Sequence, residues 1–304
     1  MFYNTLGFQM HTKCFGGCSM CSFSCNATSV DFLPLPLIHD FIKQAADQRH
    51  IQHIAFSGGD PFLRYEDLRS AIQHASSLHL ETSCFTNAFW CKNSREAETR
   101  IRELEKVGLD IIRISLDYQH TRHIPVNNYR LLLQALRGSK IKTYINIGML
   151  KSPEDRTFDV LKELGSCLFN FDMIFFPFMQ VGRAERIPPD RFYREIHKYK
   201  LQCPHNTILA VRANGNVFAC DMCLDNFNQV GNVTVNTLDE IIRNARQDDY
   251  HRLVQKRGLC WIARMIDSKE EVPGFFTSPC EFCKWLWDRR TLLDYVFAAD
   301  KEMV

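Results

Sequence analysis

Short apolar runs fall at about 3–10, 51–56, 80–85, 110–116, 141–149 and 171–178, with amphipathic stretches between them. Each run has the length of a strand, and the stretches between carry apolar residues at helical spacing. Ile38, Phe41, Ile42 and Ala45 fit i, i+3, i+4, i+7, as do Tyr129, Leu132, Leu133 and Leu136. Strand–helix alternation of this kind predicts an α/β fold with a parallel sheet and right-handed crossovers. Six strands would curl into a partial (β/α)6 barrel of the TIM type, open on one side. In such barrels the chemistry sits at the C-terminal ends of the strands.

The pattern changes near Arg183, where Ile187-Pro188-Pro189 breaks the run. A boundary is expected there, dividing a barrel over 1–186 from a smaller C-terminal domain over 187–304. Beyond it the chain is loop-rich, with a hairpin predicted around Asn214-Gly215-Asn216. A helix follows on Leu238, Ile241, Ile242 and Ala245. Six of the thirteen cysteines lie in this last third: Cys203, Cys220, Cys223, Cys260, Cys280 and Cys283.

Composition is ordinary for a globular protein, with 45% hydrophobic and 24% charged residues. The net charge of +2, without a long run of like charge, gives nucleic-acid binding no electrostatic footprint. No stretch reaches the roughly 18 apolar residues of a membrane helix, so no membrane partner is expected. The amino terminus lacks the features of a secretion signal, which predicts a cytoplasmic protein with reduced thiols. Thirteen cysteines then point to metal rather than to a disulfide framework.

Cys14, Cys18 and Cys21 form a C-x3-C-x2-C loop directly after the first predicted strand. Three thiolates on one loop can each take a corner iron of a [4Fe–4S] cube, and Gly16-Gly17 lets the backbone wrap it. The fourth iron is then left open to a small chelating molecule. Zinc is the alternative, with His11 or Cys25 as a fourth ligand. The loop's place at the top of a barrel strand favours the reactive cluster.

With these residues the sequence resembles the radical SAM superfamily. Ser57-Gly58-Gly59-Asp60-Pro61 looks like the family's GGE-type motif, with Asp60 in place of Glu. Thr86-Asn87-Ala88-Phe89-Trp90 looks like its TNGFW segment, with Ala88 where Gly is usual. Ser115 and Asp117, followed by His120, are similar to an S-x-D-x-x-H pattern, and Val181-Gly182-Arg183-Ala184 resembles a GRA segment. The resemblance covers residues 1 to about 184. It implies that Gly58, Gly59, Asp60, Asn87, Ser115 and Asp117 meet S-adenosylmethionine, with Met20 near its adenine. Asp60 is expected to accept from the amino group. Taken singly, each motif also has a plainer reading as a turn, a helix cap or a solvent-facing residue, and His120 and His123 are expected at the surface. As a set they imply reductive cleavage of S-adenosylmethionine to a 5′-deoxyadenosyl radical, with the electron from an external one-electron reductant.

Cys203, Gly215 and Cys220 have the C-x(9–15)-G-x4-C form that resembles SPASM and twitch extensions. The hairpin would bring Cys203 and Cys220 together, and Cys280 with Cys283 would complete the ligands of a second, auxiliary [4Fe–4S] cluster. A structural zinc is the alternative, and Cys223 or Cys260 could exchange with any of the four. Cys84, Cys91 and Cys167 are expected to be small buried hydrophobes, and Cys25 has no assigned part.

Cys223 is one thiol more than that set requires. The arrangement resembles radical SAM peptide epimerases, in which a cysteine gives a hydrogen atom to a substrate radical and an L-residue becomes D. Cys223 is the expected donor, and a ribosomally made precursor peptide the expected partner. With so little chain ahead of Cys14, the peptide is expected to meet the barrel mouth and extension directly, through Phe275, Phe276, Trp285 and Trp287. Two other readings stay open: a maturase forming a thioether, a C–C crosslink or a dehydrogenated product, and a non-catalytic iron–sulfur or zinc protein.

Overall fold

The computed structural model describes residues 3–204, 207–222 and 229–302. Six strands follow the six apolar runs: β1 (Thr5–Gln9), β2 (His53–Ser57), β3 (Glu81–Thr86), β4 (Ile111–Ser115), β5 (Lys142–Met149) and β6 (Asp172–Pro177). Each pairs in parallel with the next, so that Phe8 faces Phe56, Phe56 faces Cys84, and Cys84 faces Ile112. The crossovers hold α1 (Leu35–Asp47), α2 (Tyr65–Ser77), α3 (Ser94–Lys106), α4 (Tyr118–Thr121), α5 (Val126–Leu136) and α6 (Thr157–Leu164).

The helices form where the apolar spacing placed them. α1 starts behind Pro34 and buries Ile38, Phe41, Ile42 and Ala45; α5 buries Tyr129, Leu132, Leu133 and Leu136. Both stripes meet Leu6, Ile54, Ile112 and Ile145 of the strands in one core. Each large side chain buried there contributes about 2 kcal/mol. α3 is started by Asn93, whose side chain accepts from the Glu96 amide.

One apolar run behaves differently. Met173, Ile174, Phe175 and Phe176 of β6 are 44%, 39%, 47% and 37% exposed. β6 ends the sheet, and among the described residues no strand pairs with its outer edge. An apolar run marks a strand, but its burial depends on what lies beside it.

Past β6 come β7 (Ile196–His197), β8 (Ile208–Val211), β9 (Asn216–Phe218) and β10 (Gln229–Asn232). β8 lies parallel against the free side of β1, with Val211 facing Phe8, and β9 and β10 add antiparallel. The sheet thus has nine strands in the order β10-β9-β8-β1-β2-β3-β4-β5-β6. The hairpin between β8 and β9 turns at Asn214-Gly215, as the sequence predicts. α7 (Leu238–Gln247), opened by a Thr237–Glu240 capping box, buries Leu238, Ile241, Ile242 and Ala245 on the barrel core.

The last elements are α8 (Asp249–Arg257), α9 (Leu259–Asp267), β11 (Phe275–Phe276), α10 (Pro279–Trp287) and α11 (Arg290–Glu302). β11 pairs antiparallel with β7. These elements enclose a second core that includes Leu253, Ile262, Ile266, Phe282, Leu286 and Val296. The described residues of 208–247 therefore pack with the barrel, while those from Tyr250 onward pack in a second core that also takes in Leu201. Among the described residues, no helix is long and apolar enough to cross a membrane.

Candidate active site

The cysteine loop leaves β1 through Met10–Lys13, and the loop after β2 is laced against that approach. The Met10 amide donates to Ser57 O (2.9 Å), Gly59 N to His11 O (2.8 Å) and Asp60 N to Lys13 O (3.3 Å). A Cβ on Gly59 would lie 1.6 Å from Lys13 O, and one on Gly58 2.6 Å from His11 O. The glycine pair is required because two backbones touch here.

Cys14 and Cys18 are buried, and Cys21 half-buried. A Cβ on Gly16 would sit 3.1 Å from Cys18 Sγ and 3.6 Å from Cys14 Sγ, so both sulfurs gather on one side of that glycine. Cys14 Sγ accepts from Gly16 N at 3.4 Å and from Asn87 Nδ2 at 3.5 Å. Burial pushes the Cys14 thiol up, and pushes Cys18 to about 12 with help from neighbouring Cys14, Asp117 and Cys21. Cys21 goes the other way, because the Cys25 thiol hydrogen-bonds to it and outweighs burial. Cys25, to which sequence spacing gives no part, is a buried partner of a proposed ligand.

These donors fit an iron–sulfur cube. They are soft sulfur ligands held on one loop, and a cluster would replace buried neutral thiols with metal-bound thiolates. Among the described residues, no three Cys, His, Asp or Glu side chains gather closely enough to hold a single metal ion.

The strand ends around the loop are joined by buried hydrogen bonds. Asp60 accepts from Phe62 N (3.0 Å), Asn87 N (2.7 Å) and Thr86 Oγ1 (2.9 Å). Three of its roughly four acceptor sites are thus taken by the chain itself. Burial lifts its carboxyl to about 6, against the pull of those donors. Thr86 Oγ1 also accepts from Ala88 N (3.1 Å) and Trp90 Nε1 (3.0 Å), and Trp90 stacks on Phe62 at 4.4 Å. Ala88 has φ +64°, a left-handed conformation that explains why glycine is usual there.

Asp117 is buried at the start of α4. It accepts from His120 N (3.1 Å) and Gly148 N (3.3 Å) and meets His120 Nδ1 at 2.9 Å. Burial alone would lower His120, but the Asp117 carboxylate outweighs it and raises the imidazole's pKa. His120 is therefore half-buried and paired, unlike the surface residue expected, whereas His123 is exposed. Ser115 ends β4, half-buried, opposite Asn146. Met20 lies in a small apolar group with Leu150, Phe178, Ala184 and Phe192.

In the C-terminal lobe, burial raises Cys280 well above the usual thiol range, and nearby Cys283, Cys203 and Asp221 add to it. The Tyr250 hydroxyl bonds to Cys283 and feels Cys203 and Cys220. The four expected auxiliary thiols thus share one neighbourhood, around a tyrosine that the sequence did not single out. Cys260 instead donates to Leu201 O at 2.9 Å. Cys223 lies outside the described residues. Cys84 and Cys91 are fully buried, Cys167 half-buried. Of the four aromatics expected at a peptide surface, Phe276 is in the second core, Trp285 and Trp287 pack against it, and Phe275 is 52% exposed.

Comparison with known proteins points to one family. The Radical SAM superfamily profile matches residues 8–165, and that of SPASM, an iron–sulfur cluster-binding domain, matches 203–262. A protein of Bacillus subtilis (strain 168), YydG, is 21% identical over 98% of this chain and 96% of its own length; its name assigns it to peptide biosynthesis. Among solved structures, BtrN in complex with AdoMet and 2-DOIA has the same fold, with a TM-score of 0.57, 14% identity, and 86% of this chain and 92% of that one covered. An open form of BtrN gives a TM-score of 0.50, with the same identity and coverage. With a C-x3-C-x2-C loop topping β1, and with Cys203 and Cys220 inside the second matched region, this chain belongs to the radical SAM superfamily and carries a SPASM domain after the barrel.

Proposed function

We propose that this chain inverts L-residues to D-residues in a ribosomally made precursor peptide, with Cys223 as the hydrogen-atom donor. The observation that carries the peptide reading is similarity along nearly the whole chain to a protein named for peptide biosynthesis. The choice of epimerisation rests on the sequence Cys220-Asp221-Met222-Cys223, which holds one thiol beyond the proposed auxiliary set. We place the reaction in the cytoplasm, where thiols stay reduced.

S-adenosylmethionine bound at the amino-terminal cluster supplies the hydrogen-abstracting radical. The chain's own part is geometry and water exclusion. Cys14, Cys18 and Cys21 hold the first cluster; Cys203, Cys220, Cys280 and Cys283 hold the second. Met20, Gly58, Gly59, Asp60, Asn87, Ser115 and Asp117 are assigned to the cofactor's surroundings. Asp60 and Asp117 serve there by fixing loops, since their carboxylates already accept from backbone amides. After a hydrogen atom leaves the peptide's α-carbon, Cys223 returns one from the opposite face, and its S–H bond breaks. The resulting thiyl takes one electron from the external reductant and a proton from water, restoring the thiol.

Turnover in D2O tests this. The product should keep its mass apart from one deuterium at the inverted carbon. Cys223→Ala should still release 5′-deoxyadenosine while making no inverted residue. Inverted product at the normal rate from Cys223→Ala would refute the donor assignment. A product lighter by about two hydrogens would instead support crosslinking or dehydrogenation through the auxiliary cluster.

A further inference from the structure

The cluster loop follows β1, and Arg183 follows β6, so five strand-to-strand pairings separate them in the sheet. They nevertheless touch. Arg183 Nη1 donates to Cys18 O at 2.7 Å, and Nη2 donates to Cys25 O. The Arg183 amide donates to Cys21 O at 3.0 Å. Gly182, at φ +61°, permits the approach: a Cβ there would lie 2.2 Å from Ser22 O. Ala184, fully buried, packs beside Met20 of the same loop. Among the described residues no hydrogen-bonded strand closes the barrel between β6 and β1, yet at its mouth this segment spans the gap.

We propose that Arg183 is the positioning residue of the cluster loop, holding it closed by fastening the carbonyls of Cys18 and Cys25 to the chain after β6. The forked guanidinium suits the task, because it donates in two directions from one rigid plane. Bonds to carbonyls at both ends of the Cys21 segment fix where that ligand's sulfur can stand. The inference rests on family membership and on these contacts, and is independent of which peptide is modified.

Arg183→Lys and Arg183→Gln, reconstituted without oxygen, separate the fork from the charge. Iron release to a ferrous chelator is followed against Cys18→Ala protein, which marks the auxiliary iron. Both variants should lose amino-terminal iron about tenfold faster or more, the scale of one charge-assisted hydrogen bond. The auxiliary iron should leave at the native rate. Arg183→Gln should also lower the midpoint potential of the first cluster, since a nearby positive charge favours the reduced form, while Arg183→Lys should stay near native. A general loss of packing would not produce that contrast. Native release rates in both variants, or equal midpoints in Lys and Gln, would overturn the proposal. Should neither variant fold, amide exchange in the native chain decides: the Arg183 amide should slow when the first cluster is built, and an unchanged rate overturns the proposal.

Discussion

The two thiol sites of this molecule are built in opposite ways. In the first, three cysteines lie within one loop, Cys14 to Cys21, and the barrel comes to them: Gly59 from β2, Asn87 from β3, Arg183 from β6. In the second, Cys203, Cys220 and the Cys280–Cys283 pair are far apart in sequence and come near one another because α8 and α10 pack in a separate core around Tyr250. A local loop resting on a sheet can form its site as soon as the strands are paired. A dispersed set waits for the last helices to dock.

The largest test of that contrast removes one proposed ligand from each site. Cys18→Ala should abolish 5′-deoxyadenosine formation altogether. Cys283→Ala should leave cleavage of S-adenosylmethionine measurable while the modified peptide is lost. Chromatography of the nucleoside and mass analysis of the peptide check both, and equal loss of 5′-deoxyadenosine in the two variants would erase the distinction.

A smaller effect comes from Gly59→Ala. A methyl there meets Lys13 O at 1.6 Å, and the displacement should cost about 3 kcal/mol and deplete the amino-terminal iron. Gly138→Ala, which meets nothing within 4 Å, should do neither. Thermal melting and iron counts give the comparison, and native iron in Gly59→Ala would show that the close approach is dispensable.

The smallest effect is the response to acid, and its sign differs between the regions. Asp60 has its carboxyl raised from 3.8 to about 6 by burial. Its contribution is full below the unfolded value and is lost as pH rises through about 6. Asp267 is held down near 2 by Lys198, with Tyr199 and the Val272 amide also donating. Its contribution is present above 3.8 and is lost as pH falls toward 2. Amide exchange on the iron-free chain should show β3 becoming less protected between pH 4 and 6, and α9 below pH 4. Parallel behaviour of the two regions would refute the assignment.

Much of this was legible before any coordinates. The six apolar runs became β1–β6, and the stripes on α1, α5 and α7 were buried as spaced. The TNAFW segment was read as a motif; its left-handed Ala88 and the Thr86–Trp90 bond explain the pattern. Three things escaped. The exposure of β6 depends on its place at the end of the sheet, where among the described residues no strand covers its outer edge. The addition of β8 next to β1 joins residues about two hundred positions apart. The clamp of Arg183 depends on how far the sheet curls.

Spacing along the chain determined the strands, the helical faces and the cluster loop, because neighbouring residues share a backbone and a period. Which loops touch across the barrel mouth, which carboxylates are already occupied, and which distant cysteines come near one another were decided only when the whole chain packed. Those contacts join residues with no common period, so only the folded chain records them.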